Sequence, residues 1–147
     1  MPDLKLLALD SEDLEVISTY VQDAVVRVED MAFAKADKRF ALMMNRFAWE
    51  EGSDRTKGQR KRTALHFDYV EDSKVAGIDM NAREGVLELL SITFTPGDMP
   101  NGEVVLSFAG GGTVKLNVEC LEARMRDLGA AWAAKARPAH ELEDEKN

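Results

Sequence analysis

The chain has 147 residues, of which 45% are hydrophobic and 31% are charged, a balance typical of one soluble globular domain. This composition excludes collagen-like, disordered and disulfide-stapled proteins. Its 19 basic and 27 acidic residues give a net charge of −8, which argues against a nucleic-acid binder with an entirely basic surface. The single cysteine, Cys120, cannot form an intrachain disulfide, and one cysteine with two histidines falls short of a structural zinc site.

The start of the chain does not resemble a signal peptide. Its apolar stretch, residues 4–9, is interrupted by Lys5 and is shorter than the apolar run that a signal peptide needs. No window approaches the length of a membrane span. We therefore expect a bacterial, cytoplasmic protein with a single α+β domain over residues 1–137, followed by a charged, disordered tail over residues 138–147.

The first half of the chain predicts one strand, one helix and then further strands. The strand covers residues 4–9, and Asp10 then offers an N-cap for a helix. Residues 25–33 and 40–49 have β-branched or alternating patterns, and residues 51–60 form a loop with two glycines. The apolar positions of the helix recur at helical spacing: Leu14, Ile17, Val21 and Ala24.

The second half of the chain predicts further strands and a hairpin. Short strands are expected over residues 65–69, 75–80 and 86–94. The segments 104–108 and 114–118 each have one apolar face and flank Gly110-Gly111-Gly112, which predicts a hairpin whose glycines adopt positive φ.

The last predicted element is an amphipathic helix that closes the core. Asn117 could cap it, and Pro138 would end it. Its apolar stripe would consist of Val118, Leu121, Met125, Leu128 and Trp132.

These elements predict an α+β fold with about eight strands. The short turns favour antiparallel pairing, and the dry side of such a sheet needs a cover, which the closing helix would supply. We expect a strongly bent, mostly antiparallel sheet, in which an open sheet, a sandwich and a partly open barrel remain alternatives. The order of seven or so strands followed by a C-terminal helix resembles the pleckstrin-homology-like superfold, although the leading strand and helix are additional.

Short motifs spread along the chain are similar to those of an alphaproteobacterial family of small proteins that share a domain of unknown function. The resemblance implies a bacterial cytoplasmic origin and carries no information about chemistry. The motifs are Gln22-Asp23-Ala24, Asn45-Arg46-Phe47 with Trp49-Glu50, Phe108-Ala109-Gly110-Gly111, and Asp127-Leu128-Gly129 with Trp132, Pro138 and His140.

A basic loop, residues 55–62, is the strongest electrostatic feature. It could bind phosphate groups of RNA, a nucleotide or an acidic partner. It lacks the aromatic residues that stack on bases, and a solvated loop paired with nearby acidic residues is the favoured alternative. The five basic residues are Arg55, Lys57, Arg60, Lys61 and Arg62.

Two further groups are candidate sites. Arg46, Trp49 and Glu50 could form a ligand or partner contact, with Asp23 nearby, although aromatic core residues and a cross-strand ion pair explain the same pattern. His66 and Asp68 share a strand face and could act as a general base or bind a metal, but sequence spacing supplies no third group.

The sequence favours a small, non-enzymatic binding or regulatory module. Its partner would be a protein or a small anionic ligand, and a homodimer is an additional option. An enzyme with a site around His66, Asp68, Arg46 and Glu50 is one alternative, and an RNA- or phosphate-binding accessory protein that uses residues 55–62 is another. No catalytic residue, cofactor, metal or membrane contact is predicted.

Overall fold

A computed structural model describes residues 3–48 and 60–129, which form an α+β fold with one α-helix and ten strands. Two short 3₁₀ turns, Val28–Asp30 and Lys35–Asp37, flank the third strand. The regular elements are β1 (Lys5–Ala8), α1 (Ser11–Tyr20), β2 (Val25–Arg27), β3 (Met31–Ala34), β4 (Arg39–Phe47), β5 (Arg60–Phe67), β6 (Val70–Ala76), β7 (Val86–Pro96), β8 (Gly102–Phe108), β9 (Thr113–Val118) and β10 (Ala123–Asp127).

The strands form one open, bent sheet in the order β1-β10-β5-β4-β2-β7-β8-β9-β6. Every pair is antiparallel, and β3 pairs with the same side of β4 as β2 does, further along that strand. The end strands β1 and β6 do not pair with each other, so the sheet does not close into a barrel. The predicted bent antiparallel sheet is confirmed, and the open arrangement is the correct one of the three alternatives.

The chain passes from one half of the sheet to the other at two adjacent corners. One corner joins β5 to β6, and the other joins β9 to β10. The amide of Glu119 donates to the carbonyl of Tyr69 at 2.9 Å, and the amide of Asp68 donates to the carbonyl of Glu122 at 3.0 Å. These two hydrogen bonds link the corners, and each pairs an N–H and a C=O group that the strand ladders do not bond.

The predicted N-terminal helix forms and covers part of the core. The Asp10 side chain accepts a hydrogen bond from the Asp13 amide at 2.8 Å, as an N-cap does. Leu14 and Ile17 are buried in a single hydrophobic cluster, and α1 packs on β7 and β1. The helix ends at Tyr20, which is earlier than its apolar periodicity predicts.

The predicted glycine hairpin is confirmed. β8 and β9 pair from Gly102↔Val118 to Ser107↔Thr113. Gly110 and Gly111 have φ values of 89° and 98°, in the region that side chains disfavour. The turn therefore requires glycine for its backbone conformation.

The predicted closing helix is wrong for the described part of its range. Residues 123–127 form β10, which lies between β1 and β5 in the sheet. The strand alternates buried and exposed residues, so Met125 is buried on one side while Arg124 and Arg126 are exposed on the other. The residue Trp132 and the predicted tail over residues 138–147 lie outside the described residues. The pleckstrin-homology-like element order depended on this helix and is not supported by residues 118–129.

Three strand boundaries also differ from the predictions. The strand expected over residues 25–33 is split into two by the 3₁₀ turn Val28–Asp30. Strand β5 begins at Arg60, so Arg60, Lys61 and Arg62 belong to a strand instead of a loop. Strand β6 covers Val70–Ala76, earlier than expected, because Tyr69 adopts a positive φ of 60° and turns the chain at once.

Candidate functional site

The outer side of β1, β10 and β5 carries a cluster of basic residues. Alternation along each strand places apolar residues on the core side and these residues on the opposite side. The register aligns Lys5 with Arg126 and Ala64 in one row, and Leu7 with Arg124 and His66 in the next. We call this surface the basic face and define it by five residues: Lys5, Arg62, His66, Arg124 and Arg126.

Two cations of the basic face have no acidic partner among residues 3–48 and 60–129. Arg62 pairs with Asp30 at 3.3 Å, and Arg124 pairs with Glu122 at 3.2 Å. Lys5 and Arg126 take part in no ion pair within those ranges, and both are exposed. Like charges that lie directly opposite each other on neighbouring strands are destabilising. The arrangement of Lys5 and Arg126 therefore favours the binding of an anion.

The hydrogen-bond pattern places Lys5 and Arg126 close together. The Asp127 amide donates to the Leu4 carbonyl at 2.9 Å, which makes that pair hydrogen-bonded. The next pair, Lys5 and Arg126, is therefore a pair without direct backbone bonds. Such pairs have Cα atoms only about 4.5 Å apart, so their side chains stand side by side.

A shallow cleft of about 520 Å³ runs across the basic face. Its lining combines the unpaired cations with apolar side chains. Leu7 is 46% exposed at one side of it, and Leu128 lines it as well. A ligand that fits this surface must supply negative charge and some apolar area.

His66 and Asp68 do lie together, as their spacing predicts. Their side chains are 3.5 Å apart, and Asp68 also accepts a hydrogen bond from Arg39 at 2.8 Å. Burial lowers the pKa of His66 below its usual value, and the cations Arg39 and Arg124 lower it further, while Asp68 opposes the shift. The lowered pKa favours the neutral form of the His66 imidazole.

The Arg46 side chain lies on the core side of the sheet and is fully buried. Its Nε and Nη2 atoms donate to the two carboxylate oxygens of Asp127 at 2.8 and 2.7 Å. The Thr63 hydroxyl donates to the same carboxylate at 2.8 Å, and the Leu4 amide donates at 3.0 Å. The Tyr20 ring centroid lies 5.8 Å from the guanidinium carbon. We call Arg46, Thr63 and Asp127 the buried ion pair cluster.

Asp127 is held ionised by this cluster. Burial alone would raise the pKa of Asp127, but the hydrogen bonds from Arg46, the Leu4 amide and Thr63 outweigh burial, and the pKa lies below its usual value. The carboxylate accepts four hydrogen bonds and is shielded from solvent. This arrangement gives Arg46 a structural role and does not expose it to a ligand.

The basic residues of early β5 point in different directions because they alternate along a strand. The Arg60 guanidinium lies 4.9 Å from the Phe47 ring centroid and donates to the Asn45 carbonyl at 3.3 Å. Lys61 faces the core side and bonds to Asp3 at 3.5 Å. Arg60, Phe47 and Asp23 share a second, smaller groove, in which Asp23 has a φ of 68°. Trp49, Glu50, Arg55 and Lys57 lie outside the described residues.

The alternative enzyme site does not assemble from its described members. Arg46 faces the core side of β4, whereas His66 faces the outer side of β5. They also occupy different rows, because Arg46 is opposite Lys61 and His66 is opposite Ala41. Within residues 3–48 and 60–129, no three histidine, cysteine or acidic side chains are grouped so as to hold a metal ion.

Sequence reasoning missed Lys5, Arg124 and Arg126. A signal was available in Arg124-Met125-Arg126-Asp127, where basic residues alternate with a methionine at the period of a strand. This strand signal was outweighed because Leu121, Met125 and Leu128 recur at helical spacing, which predicts a helix for the same residues. The position of Lys5 in an edge strand opposite β10 could not be inferred, because pairing partners far apart in sequence leave no local pattern.

The comparisons with known proteins identify a family but no function. No helix in the described part of the chain is long and apolar enough to cross a membrane. No curated protein and no solved structure matches the chain. A family model described as a protein of unknown function, DUF2948, matches residues 4–140, and the chain therefore belongs to this family.

Proposed function

We propose that this protein is a cytoplasmic, non-enzymatic binding module that binds an acidic segment of a partner protein on its basic face. The observation that carries the proposal is the pair Lys5 and Arg126, which are directly opposite, exposed and without an acidic partner in the described ranges. An anionic side chain placed between them would remove their mutual repulsion and form charge-assisted hydrogen bonds.

The apolar part of the cleft favours a protein segment over RNA. The exposed Leu7 and the neighbouring Leu128 offer contacts to an aliphatic side chain. The described residues that line the cleft include no phenylalanine, tyrosine or tryptophan, the side chains that form large platforms for base stacking. The cytoplasmic location is supported by the single cysteine, which suits a reducing compartment.

The proposal is tested by fluorescence anisotropy with a labelled acidic heptapeptide, acetyl-Glu-Thr-Leu-Thr-Glu-Thr-Glu-amide. We expect Arg126→Glu to weaken its binding by on the order of tenfold, because attraction becomes repulsion at short range. Lys115→Glu is the matched control, since Lys115 is an exposed strand residue on β9 that undergoes the same charge change. Affinity for the wild-type protein should fall between about 50 and 300 mM salt because the charges are exposed.

Two outcomes would overturn the proposal. Equal losses in the Arg126→Glu and Lys115→Glu variants would show that only the net charge of the protein matters. Tighter binding of a uridylate oligonucleotide than of the peptide, with the same dependence on Arg126, would instead favour the nucleic-acid function.

A further inference from the structure

The free edge of β1 has backbone groups without a hydrogen-bond partner in the described part of the protein. In the β1–β10 ladder, Leu4 bonds to Asp127, so the alternating pattern makes Leu6 and Ala8 the next residues that bond to β10. The N–H and C=O groups of Lys5 and Leu7 therefore point away from β10. Within residues 3–48 and 60–129, no backbone or side-chain group bonds to them.

The same two residues present their side chains to the basic face. Lys5 and Leu7 are exposed on the outer side, whereas Ala8 is buried on the core side. An added strand that bonds to Lys5 and Leu7 in antiparallel orientation would place its own bonded residues on the outer side too. An acidic residue opposite Lys5 would then be two strands away from Arg126, with Cα atoms about 10 Å apart, a distance that the long Arg126 side chain and the acidic side chain can bridge across Lys5. An apolar residue opposite Leu7 would cover the exposed leucine.

The other end of the sheet is less suited to an added strand. The β6 ladder contains a bulge between Val70 and Asp72, and a bulge twists an edge away from regular pairing. The β1 ladder runs without a register shift from Lys5↔Arg126 to Ala8↔Ala123. Regular geometry, unbonded backbone groups and unpaired positive charge therefore coincide at β1.

We propose that the acidic partner segment binds as an extra antiparallel strand on the free edge of β1. Backbone hydrogen bonds to Lys5 and Leu7 would fix the segment in extended form. Its specificity would come from an acidic residue opposite Lys5 and an apolar residue opposite Leu7, two positions apart. This inference rests on the proposed function, since it specifies how the ligand of the basic face is held.

The test uses the full-length protein and backbone N-methylation of the heptapeptide. Methylating the amides of the leucine and of the second of the three glutamates, two positions after it, removes the donors that face β1. Binding should then weaken on the order of tenfold. Methylating the two threonine amides on either side of the leucine is the matched control, because those amides point away, and it should leave affinity nearly unchanged. Hydrogen exchange should also slow at the Lys5 and Leu7 amides when the peptide binds, while the Leu6 and Ala8 amides are protected in both states.

The outcomes separate this inference from the proposed function. If Arg126→Glu weakens binding but the two methylation patterns have equal effects, the basic face binds the peptide and strand addition is refuted. If the threonine pattern is the damaging one, the antiparallel arrangement is refuted. Protection of the Lys5 and Leu7 amides in the free protein would show that the edge is already covered, which would also refute the inference. If neither Arg126→Glu nor methylation matters, the proposed function fails as well.

Discussion

Replacing Asp127 with leucine should destabilise the fold strongly, because the change leaves the Arg46 guanidinium charged and buried. Asp127 accepts hydrogen bonds from Arg46 at 2.8 and 2.7 Å, and neither side chain is exposed to solvent. Removing one partner of a buried pair costs about 3–5 kcal/mol. Hydrogen bonds to charged groups contribute about 1.5–3 kcal/mol each, so the two bonds to Arg46 give a similar figure. A domain with about 5–15 kcal/mol of stability would lose a large share of it.

A double-mutant cycle tests this reasoning by urea unfolding followed by circular dichroism. We expect the double variant Arg46→Met with Asp127→Leu to be more stable than Asp127→Leu alone, because the second change removes the orphaned charge. Thr63→Val should cost about 1–2 kcal/mol, since the carboxylate keeps its other three hydrogen bonds. Losses that simply add in the double variant would refute the idea that an uncompensated buried charge causes the instability.

Three further predictions concern pH and packing. Because the pKa of Asp127 is lowered in the folded state, the stabilisation by its carboxylate is complete above its unfolded pKa of about 3.9 and is lost as the pH falls through the folded pKa. In urea unfolding at a series of acid pH values, the free energy of unfolding should therefore fall less with acid in Asp127→Leu than in the wild-type protein. NMR titration should place the pKa of His66 below its usual value. Arg124→Gln should raise the pKa of His66, and an equal pKa in this variant and the wild-type protein would contradict the effect assigned to the Arg124 cation. Gly102→Ala should lower the free energy of unfolding by about 1–3 kcal/mol, because a Cβ there would lie 2.5 Å from the Phe94 ring. Thermal unfolding should show that adding Phe94→Leu restores part of the lost stability, and a double variant with no such gain would contradict the clash.

The predictable parts of the fold are those whose signals are local. The N-cap at Asp10 and the glycine turn at residues 110–112 each depend on residues a few positions apart. The alternating pattern of β8 and β9 likewise identifies two strands without knowledge of their partners. These signals suffice for the α+β class and the antiparallel sheet, but they do not determine the order of the strands.

The segment around Met125 was mispredicted because its sequence fits two periods. Leu121, Met125 and Leu128 recur at helical spacing, but Ala123, Met125 and Asp127 also alternate as in a strand. The structure selects the strand because β1 and β5 both supply backbone partners, which satisfy its hydrogen bonds on two sides. Local propensity could not decide between these periods, since the deciding partners are distant in sequence.

The candidate site depends on the same long-range pairing, which connects the buried ion pair cluster to the basic face. Asp127 points into the core toward Arg46, and the preceding residue, Arg126, therefore points outward beside Lys5. A slip of β10 by one residue would exchange these sides and place Arg126 in the core and Asp127 at the surface. Because the buried Arg46 guanidinium needs a carboxylate to accept its hydrogen bonds and balance its charge, the ion pair favours the register that exposes Arg126. Loss of Asp127 should thus weaken both folding and peptide binding, whereas loss of Arg126 should weaken peptide binding alone.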